Sequence, residues 1–463
     1  MKKFLEKNRD LFAVRTENGT LTLLGLLWPL LLENVLRNLM STVNTALLGR
    51  FDEGAVSAVG IASQILNLVL TIHWVISGGA SVVISQNLGA GNRKKAAQVA
   101  TVTLVFVGFL SVAISAIVYI LAEPLLLAMN LAPELLDYGM SYLRITTAFS
   151  FFEGIITILS AIARSYGDTK SSMVVMITMN ILNAVGSYIV IMRPFETPFV
   201  GVAGVAWLKE ISILVAFVFF LFLLKNTGLD LDMAAFKAKP FALFWEVLAI
   251  GIPQGISFIS YNFSQIVSMS FIAEIGMSAV AAMQYVNNIV MYVSMAGSCL
   301  GTANGIMLGY LVGSGEFDRA QKVNNINLKM AMGFNAMFSV ILFIFRFQIL
   351  QIFSPEQGTL ELAASVLFID IFVEIGRAMN NIGESALASA GDVRYSMVLN
   401  IISCWCLSIL FSYIFGIRMG MGLYGCWISF MMDELFRGTM NAVRWKSRKW
   451  IKYAESMRQR TAA

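Results

Sequence analysis

Twelve apolar runs, most of them twenty or more residues long, dictate what this chain can become. Six fall at about 21–48, 56–85, 97–122, 138–163, 171–192 and 201–224, and six more at about 243–272, 279–311, 323–345, 361–387, 395–417 and 420–442. A helix needs about 20 apolar residues to cross the hydrocarbon of a bilayer. Strands of a membrane barrel instead alternate over about ten residues. The runs therefore predict an all-α integral membrane protein of twelve transmembrane helices. The composition agrees, with 57% hydrophobic and 13% charged residues in 463. A soluble body of this size carries about 25% charged residues, and a disordered chain is far less apolar. Cys299, Cys404, Cys406 and Cys426 all lie inside apolar runs, so neither a disulfide framework nor a metal-binding spacing is expected. Residues 1–20 mix Lys2, Lys3, Lys7, Arg9 and Arg15 with acids and do not resemble a cleaved signal peptide.

An even number of spans puts both termini on one side, and the basic residues choose it. Twenty-three Lys and Arg fall on the side of the termini, among them Arg93, Lys94, Lys95, Arg164, Lys170 and the cluster from Arg444 to Arg460. Only Arg50, Arg193, Arg346 and Arg418 fall opposite. This bias predicts a multi-pass plasma (inner) membrane protein with cytoplasmic termini. The basic tail is expected to anchor at anionic membrane lipid rather than to bind nucleic acid.

The two halves repeat at an offset of 224 residues. Pro29 answers Pro253, the turn LGAGNRKKA (88–96) answers VGSGEFDRA (312–320), and GDTKSSMV (167–174) answers GDVRYSMV (391–398). Each half holds six spans, so the repeats are parallel and related by an axis along the membrane normal. Transporters built this way handle substrate between the halves. The chain thus divides into a cytoplasmic segment 1–20, an N-terminal six-helix lobe 21–224, a cytoplasmic linker 225–242, a C-terminal six-helix lobe 243–442 and a basic cytoplasmic tail 443–463. The glycine pairs Gly89/Gly91 and Gly313/Gly315 lack the lysine-serine ending of a phosphate loop and fit tight turns.

Several stretches together resemble the MATE family, the multidrug and toxic compound extrusion transporters. They are VNTALLGR (43–50), SQNLGAGNRKKA (85–96), ARSYGDTK (163–170), GRAMNN (376–381), ALASAGDVRYSM (386–397), GLYGCWISFMMDE (422–434) and RWKSRKW (444–450). The resemblance implies two six-helix lobes around a central cleft and alternating access. It also implies antiport, with small organic, cationic or amphipathic compounds exported against an inward flow of protons or sodium. It requires no cofactor beyond that coupling ion, no metal and no catalytic residue, and the protein is expected to act as a monomer. A lipid-linked precursor or polysaccharide flippase of the same superfamily is the alternative. An intramembrane enzyme would need a catalytic constellation that one histidine, His73, does not supply.

Charges inside spans are costly, about 2.5–3.5 kcal/mol each on insertion scales, and mark functional sites. The basic ones are Arg37, Arg144, Lys209, Lys329, Arg377 and Arg437. Glu33 follows Pro29, which removes a backbone donor and frees carbonyls beside the carboxylate. Arg37 stands at i+4 as its ready partner. The resemblance implies an ion-coupling site in the N-terminal lobe from an acid in span one, an acid four residues after an asparagine in span five, and a threonine in span six. This chain carries Asn44, Asn183 with Ser187, and Lys209 at those places. Asn44 and Ser187 offer neutral oxygens only, and Lys209 places an ammonium where the ion would sit, with Glu33 or Glu210 as its expected partner. In the second lobe the resemblance points to Asp370 and Glu374, with Arg377 and Tyr261 nearby. Glu153 and Arg377 stand 224 apart and are read either as a gating pair that faces across the cleft or, for Arg377, as the neutralising partner of Glu374 three residues before it, with Pro29 as a second gating element. Asp433 and Glu434 are read as structural partners of Arg437.

Overall fold

The computed structural model describes residues 13–16, 19–193, 198–224, 231–236, 239–353 and 356–462. Lys2, Lys3, Lys7, Arg9, Lys225 and Lys237, and with them most of the segment 1–20 and half of the linker, lie outside the described residues. Twelve long helices follow one another: α1 Leu23–Phe51, α2 Glu53–Gly89, α3 Arg93–Ile120, α4 Leu136–Ser165, α5 Thr169–Met192 and α6 Gly201–Leu224 form the first lobe. The second comprises α7 Pro240–Ile275, α8 Met277–Ser314, α9 Phe317–Ile344, α10 Gln357–Ser389, α11 Val393–Arg418 and α12 Leu423–Lys446. The two halves use the same pairings, α2 on α4 and α4 on α6 in one, α8 on α10 and α10 on α12 in the other. The fold class expected from the sequence is therefore what the chain adopts.

Ten of these helices are long and apolar enough to cross a membrane by length and composition. The other two, α10 and α12, fall short because of the charges at positions 370–384 and 433–437. They pack against each other inside the second lobe, where those charges find partners. Two features were not foreseen. Two short strands pair antiparallel, β1 Ala13–Thr16 with β2 Gly19–Thr22. The end of the chain is a helix, α13 Ile451–Ala462, anchored by the fully buried Trp450, whose ring stacks on Trp445 at 4.1 Å. α11 departs from its counterpart α5 by running into π turns at Cys404–Ile409 and Ser412–Arg418.

Four equivalent turns end α2, α4, α8 and α10. In each a glycine takes the left-handed conformation, Gly91 (φ 75°), Gly167 (91°), Gly315 (80°) and Gly391 (82°). The next N–H reaches back five residues, as in Asn92 to the Asn87 carbonyl and Asp168 to that of Ala163. This closes the helix ends in the Schellman manner. Asn92 and Asp168 then cap α3 and α5 through their side chains, each at 3.0 Å.

At the level of these turns the lobes are joined. Gly89 and Gly313 bring the α2 and α8 backbones together so closely that a Cβ on either would collide with the opposite helix at Tyr310 or Gln86. Small residues permit such an approach. Gln86 Nε2 donates to the Ser389 carbonyl at 2.5 Å, and Tyr310 OH donates to the Ser165 carbonyl at 2.7 Å. Two buried apolar clusters here draw residues from both lobes. At the opposite end each lobe keeps a cluster of its own, one around Ala58, Leu126 and Leu143, the other around Ala282, Val286 and Trp427. The molecule is closed at the glycine-turn end and divided at the other.

Candidate functional site

Two cavities lie one against each lobe, and Met295 and Ser298 of α8 line both. The N-lobe cavity measures ≈ 650 Å³ and is walled by α1, α2, α4, α5 and α6. Glu33 points into it, buried at 6% exposure, one turn beyond the buried Pro29. Its carboxylate meets Arg37 at 3.5 Å and Arg164 at 3.4 Å, and Ser172 Oγ donates to it at 3.4 Å. The Arg37 partnership was legible as an i, i+4 spacing. Arg164 was not: it counts in the sequence as a basic residue of a turn, yet from the last turn of α4 its side chain reaches Glu33 on α1.

The other charged group of this cavity centres on Lys209, which was expected to meet Glu33 or Glu210. It lies 3.8 Å from Glu153 and 3.8 Å from Glu210, and is not paired with Glu33. Glu210 is 3% exposed and neither of its carboxylate oxygens has a hydrogen-bond partner. Asn44 Nδ2 donates to Asn183 Oδ1 at 3.0 Å, so α1 and α5 do bring these two together. Ser187 is fully buried behind the cavity, its hydroxyl unpartnered. His73 is also buried, with Nε2 2.7 Å from Ser111 Oγ. It braces α2 against α3 and does not line the cavity.

The C-lobe cavity measures ≈ 850 Å³ and is walled by α7, α8, α10, α11 and α12. Glu374 pairs with Arg377 and accepts from Ser294 Oγ at 2.7 Å and Asn335 Nδ2 at 3.3 Å. Arg377 also reaches Glu434 at 3.5 Å. It does not meet Glu153: each of the two has its partners inside its own lobe, and the expected gating pair across the cleft is not formed. Arg437 binds Asp433 at 2.7 Å and Glu434 at 2.9 Å, hydrogen-bonds Asn400, and lies over the Tyr261 ring with its Cζ 5.5 Å from the centroid. The expected pairing of Asp433 and Glu434 with Arg437 is present. Beyond that structural role, Glu434 and Arg437 are part of the cavity wall.

Two carboxylates of this wall have no cation against them. Asp370, 4% exposed, accepts from Trp427 Nε1 at 3.1 Å. Glu384 accepts from Asn400 Nδ2 at 2.9 Å. Neither has a basic group within ion-pair distance among the described residues. The C-lobe group thus sets five carboxylates against two guanidiniums, whereas the N-lobe group balances three carboxylates with three cations.

A sequence model of the family described as MatE matches residues 29–189 and again 253–414, one match in each lobe. The chain belongs to the MATE family. YisQ of Bacillus subtilis (strain 168), named as an uncharacterized transporter, is 36% identical over 93% of this chain and 95% of its own length. A Thermotoga maritima protein named "Probable multidrug resistance protein NorM" is 26% identical over 95% of this chain and 94% of its own. Among solved structures, a multidrug resistance MATE transporter described in an outward-facing conformation superposes with a TM-score of 0.85 at 19% identity, covering 93% of this chain and 96% of its own. A MATE described as bent superposes equally well, at 0.85 and 19% identity over 95% and 96%. The likeness to these MATE structures covers both lobes.

Proposed function

We infer that this MATE protein is a secondary active exporter of small organic, cationic or amphipathic compounds. It works by alternating access, with proton or sodium influx coupled at the C-lobe carboxylates. The observation that carries this reading is the pair Asp370 and Glu384, two acids on a cavity wall with no resident cation. A carboxylate placed in a low-dielectric wall is costly to hold as a lone anion, so a mobile cation is its natural partner. In the N-lobe the same need is already met by Arg37, Arg164 and Lys209. There Asn44 and Asn183 share the cavity wall with a tethered ammonium, and Ser187 lies behind it. The aromatic rings of Tyr261 and Trp427, beside Met283 and Met291 in the C-lobe cavity, suit a bulky cation.

The excess of basic residues on the glycine-turn side supports a plasma-membrane orientation with that closed end toward the cytoplasm and the divided end outward. Relatives named as transporters and multidrug resistance proteins favour extrusion over the flippase alternative. The test is purified protein in liposomes, with proton and sodium gradients imposed separately and export of a cationic dye followed. One gradient should drive export. Asp370→Asn should lower that response at least about tenfold, the scale of a 1–3 kcal/mol coupling free energy, while Glu33→Gln keeps its ion dependence. Indifference to both gradients would overturn the reading.

A further inference from the structure

Three cationic side chains line the N-lobe cavity, and two of them answer to a single carboxylate. Arg37 has one ion pair, at 3.5 Å to Glu33, no hydrogen bond, and a buried Nε with no acceptor. Its side chain is 35% exposed, against 8% for that of Glu33. Arg164 spends one nitrogen, Nη1, on both of its contacts, Glu33 at 3.4 Å and Ser172 Oγ at 3.3 Å. A guanidinium carries five donors in a planar fork, so this corner holds one surplus positive charge and several unused donors. The compensating surplus of negative charge surrounds Lys209: Glu153 lies eleven residues from Arg164 along α4, about 16 Å of helix, and Glu210 stands on α6. The wall beside Arg37 is soft and apolar. The Trp74 ring centroid lies 5.9 Å from Arg37 Cζ, and Met40, Leu70, Met176 and Met179 complete it.

We propose that the Arg37–Arg164 corner of the N-lobe cavity is a subsite for the carboxylate of an amphipathic organic anion, whose apolar body lies against Trp74 and the methionines. A carboxylate matches the guanidinium fork with two parallel hydrogen bonds. The half-enclosed cavity strengthens that attraction relative to water. Glu33 then serves as the internal counter-ion that holds both arginines in place while the corner is empty. Because the two cavities meet at Met295 and Ser298, a ligand that spans them would carry its negative end here and its positive end toward Asp370. The subsite leans on the exporter reading only for the claim that its ligand is moved; binding stands separately.

Three probes with one naphthyl body test it on the purified full chain: 1-naphthaleneacetate, its neutral acetamide, and naphthylethylammonium, each titrated with Trp fluorescence as the readout. The acetate should bind at least about tenfold more tightly than the acetamide, one good charge-assisted pair. Arg37→Gln should erase that ratio while the affinities for amide and cation stay within twofold. Arg37→Lys, which retains the charge and the partner of Glu33, should keep part of the preference and guards against a folding defect in the first variant. Equal binding of acetate and acetamide by the unaltered protein would overturn the proposal, as would a parallel loss of all three ligands in Arg37→Lys. Loss of gradient-driven dye export with the acetate preference intact would count against the exporter reading and leave the subsite standing.

Discussion

The two lobes share a helix plan and differ in how they spend their charge. At one equivalent position of the repeat the first lobe carries Glu153 and the second Arg377, each paired within its own lobe. Individual polar bonds differ as well: the hydroxyl pairs Ser81–Ser165 and Ser115–Ser150 join helices in the first lobe, and in the second Asn304 bonds both Asn324 and Asn327. The scaffold tolerates either chemistry because either satisfies the buried groups. The net charge of each cavity is therefore free to follow function, balanced in one lobe and acidic in the other.

The largest effect expected from this contrast is on stability. Arg437 is 3% exposed and holds Asp433, Glu434 and Asn400 at once. Arg437→Ala should cost about 3–5 kcal/mol, the range for stripping one partner from a buried ion pair, and lower the melting temperature in detergent accordingly. Replacing Asp433 by Asn in the same chain should recover much of the loss. Lys209→Met should cost less, about 1–3 kcal/mol, because its pairs are longer and its side chain is 22% exposed. That variant should also gain what the intact N-lobe lacks, a rise in melting temperature when sodium chloride replaces choline chloride. If the N-lobe gains no sodium response, its acids are not held in balance by that ammonium.

The smallest effect belongs to the turn between α10 and α11. Burial pushes the Asp392 carboxyl above its usual range, and the Arg444 guanidinium at 2.8 Å offsets this only in part. A raised folded-state value means that Asp392 favours the fold most below the unfolded carboxylate value of about 4. The contribution fades as pH rises through the higher folded value. Melts between pH 4 and 7 should show a shallow downward slope from this group, about 1 kcal/mol or less. Asp392→Asn should flatten it.

The spans, the repeat, the glycine turns and the i, i+4 pair Glu33–Arg37 were all legible in the sequence, since each depends on spacing along one helix. What escaped was contact between helices. Arg164 looks like a turn residue until its side chain is seen to reach Glu33 on α1. Glu153 and Arg377 look like partners because the repeat equates them. Yet a two-fold axis sets equivalent residues at equal distances from itself, not against each other. Asn44 and Asn183 came together on the strength of a family resemblance and not of any periodicity. The strands β1 and β2 left no apolar pattern long enough to notice.

The contacts that close one end also bear on ancestry. With a shift of 224, Gln86 corresponds to Tyr310, Gly89 to Gly313 and Ser165 to Ser389. Gln86 faces Gly313 as Tyr310 faces Gly89, and the bond from Gln86 to Ser389 mirrors that from Tyr310 to Ser165. Each patch meets its own copy, which is the signature of an isologous dimer. The chain thus keeps inside itself a seam with the symmetry of two identical proteins joined face to face, now held within one polypeptide.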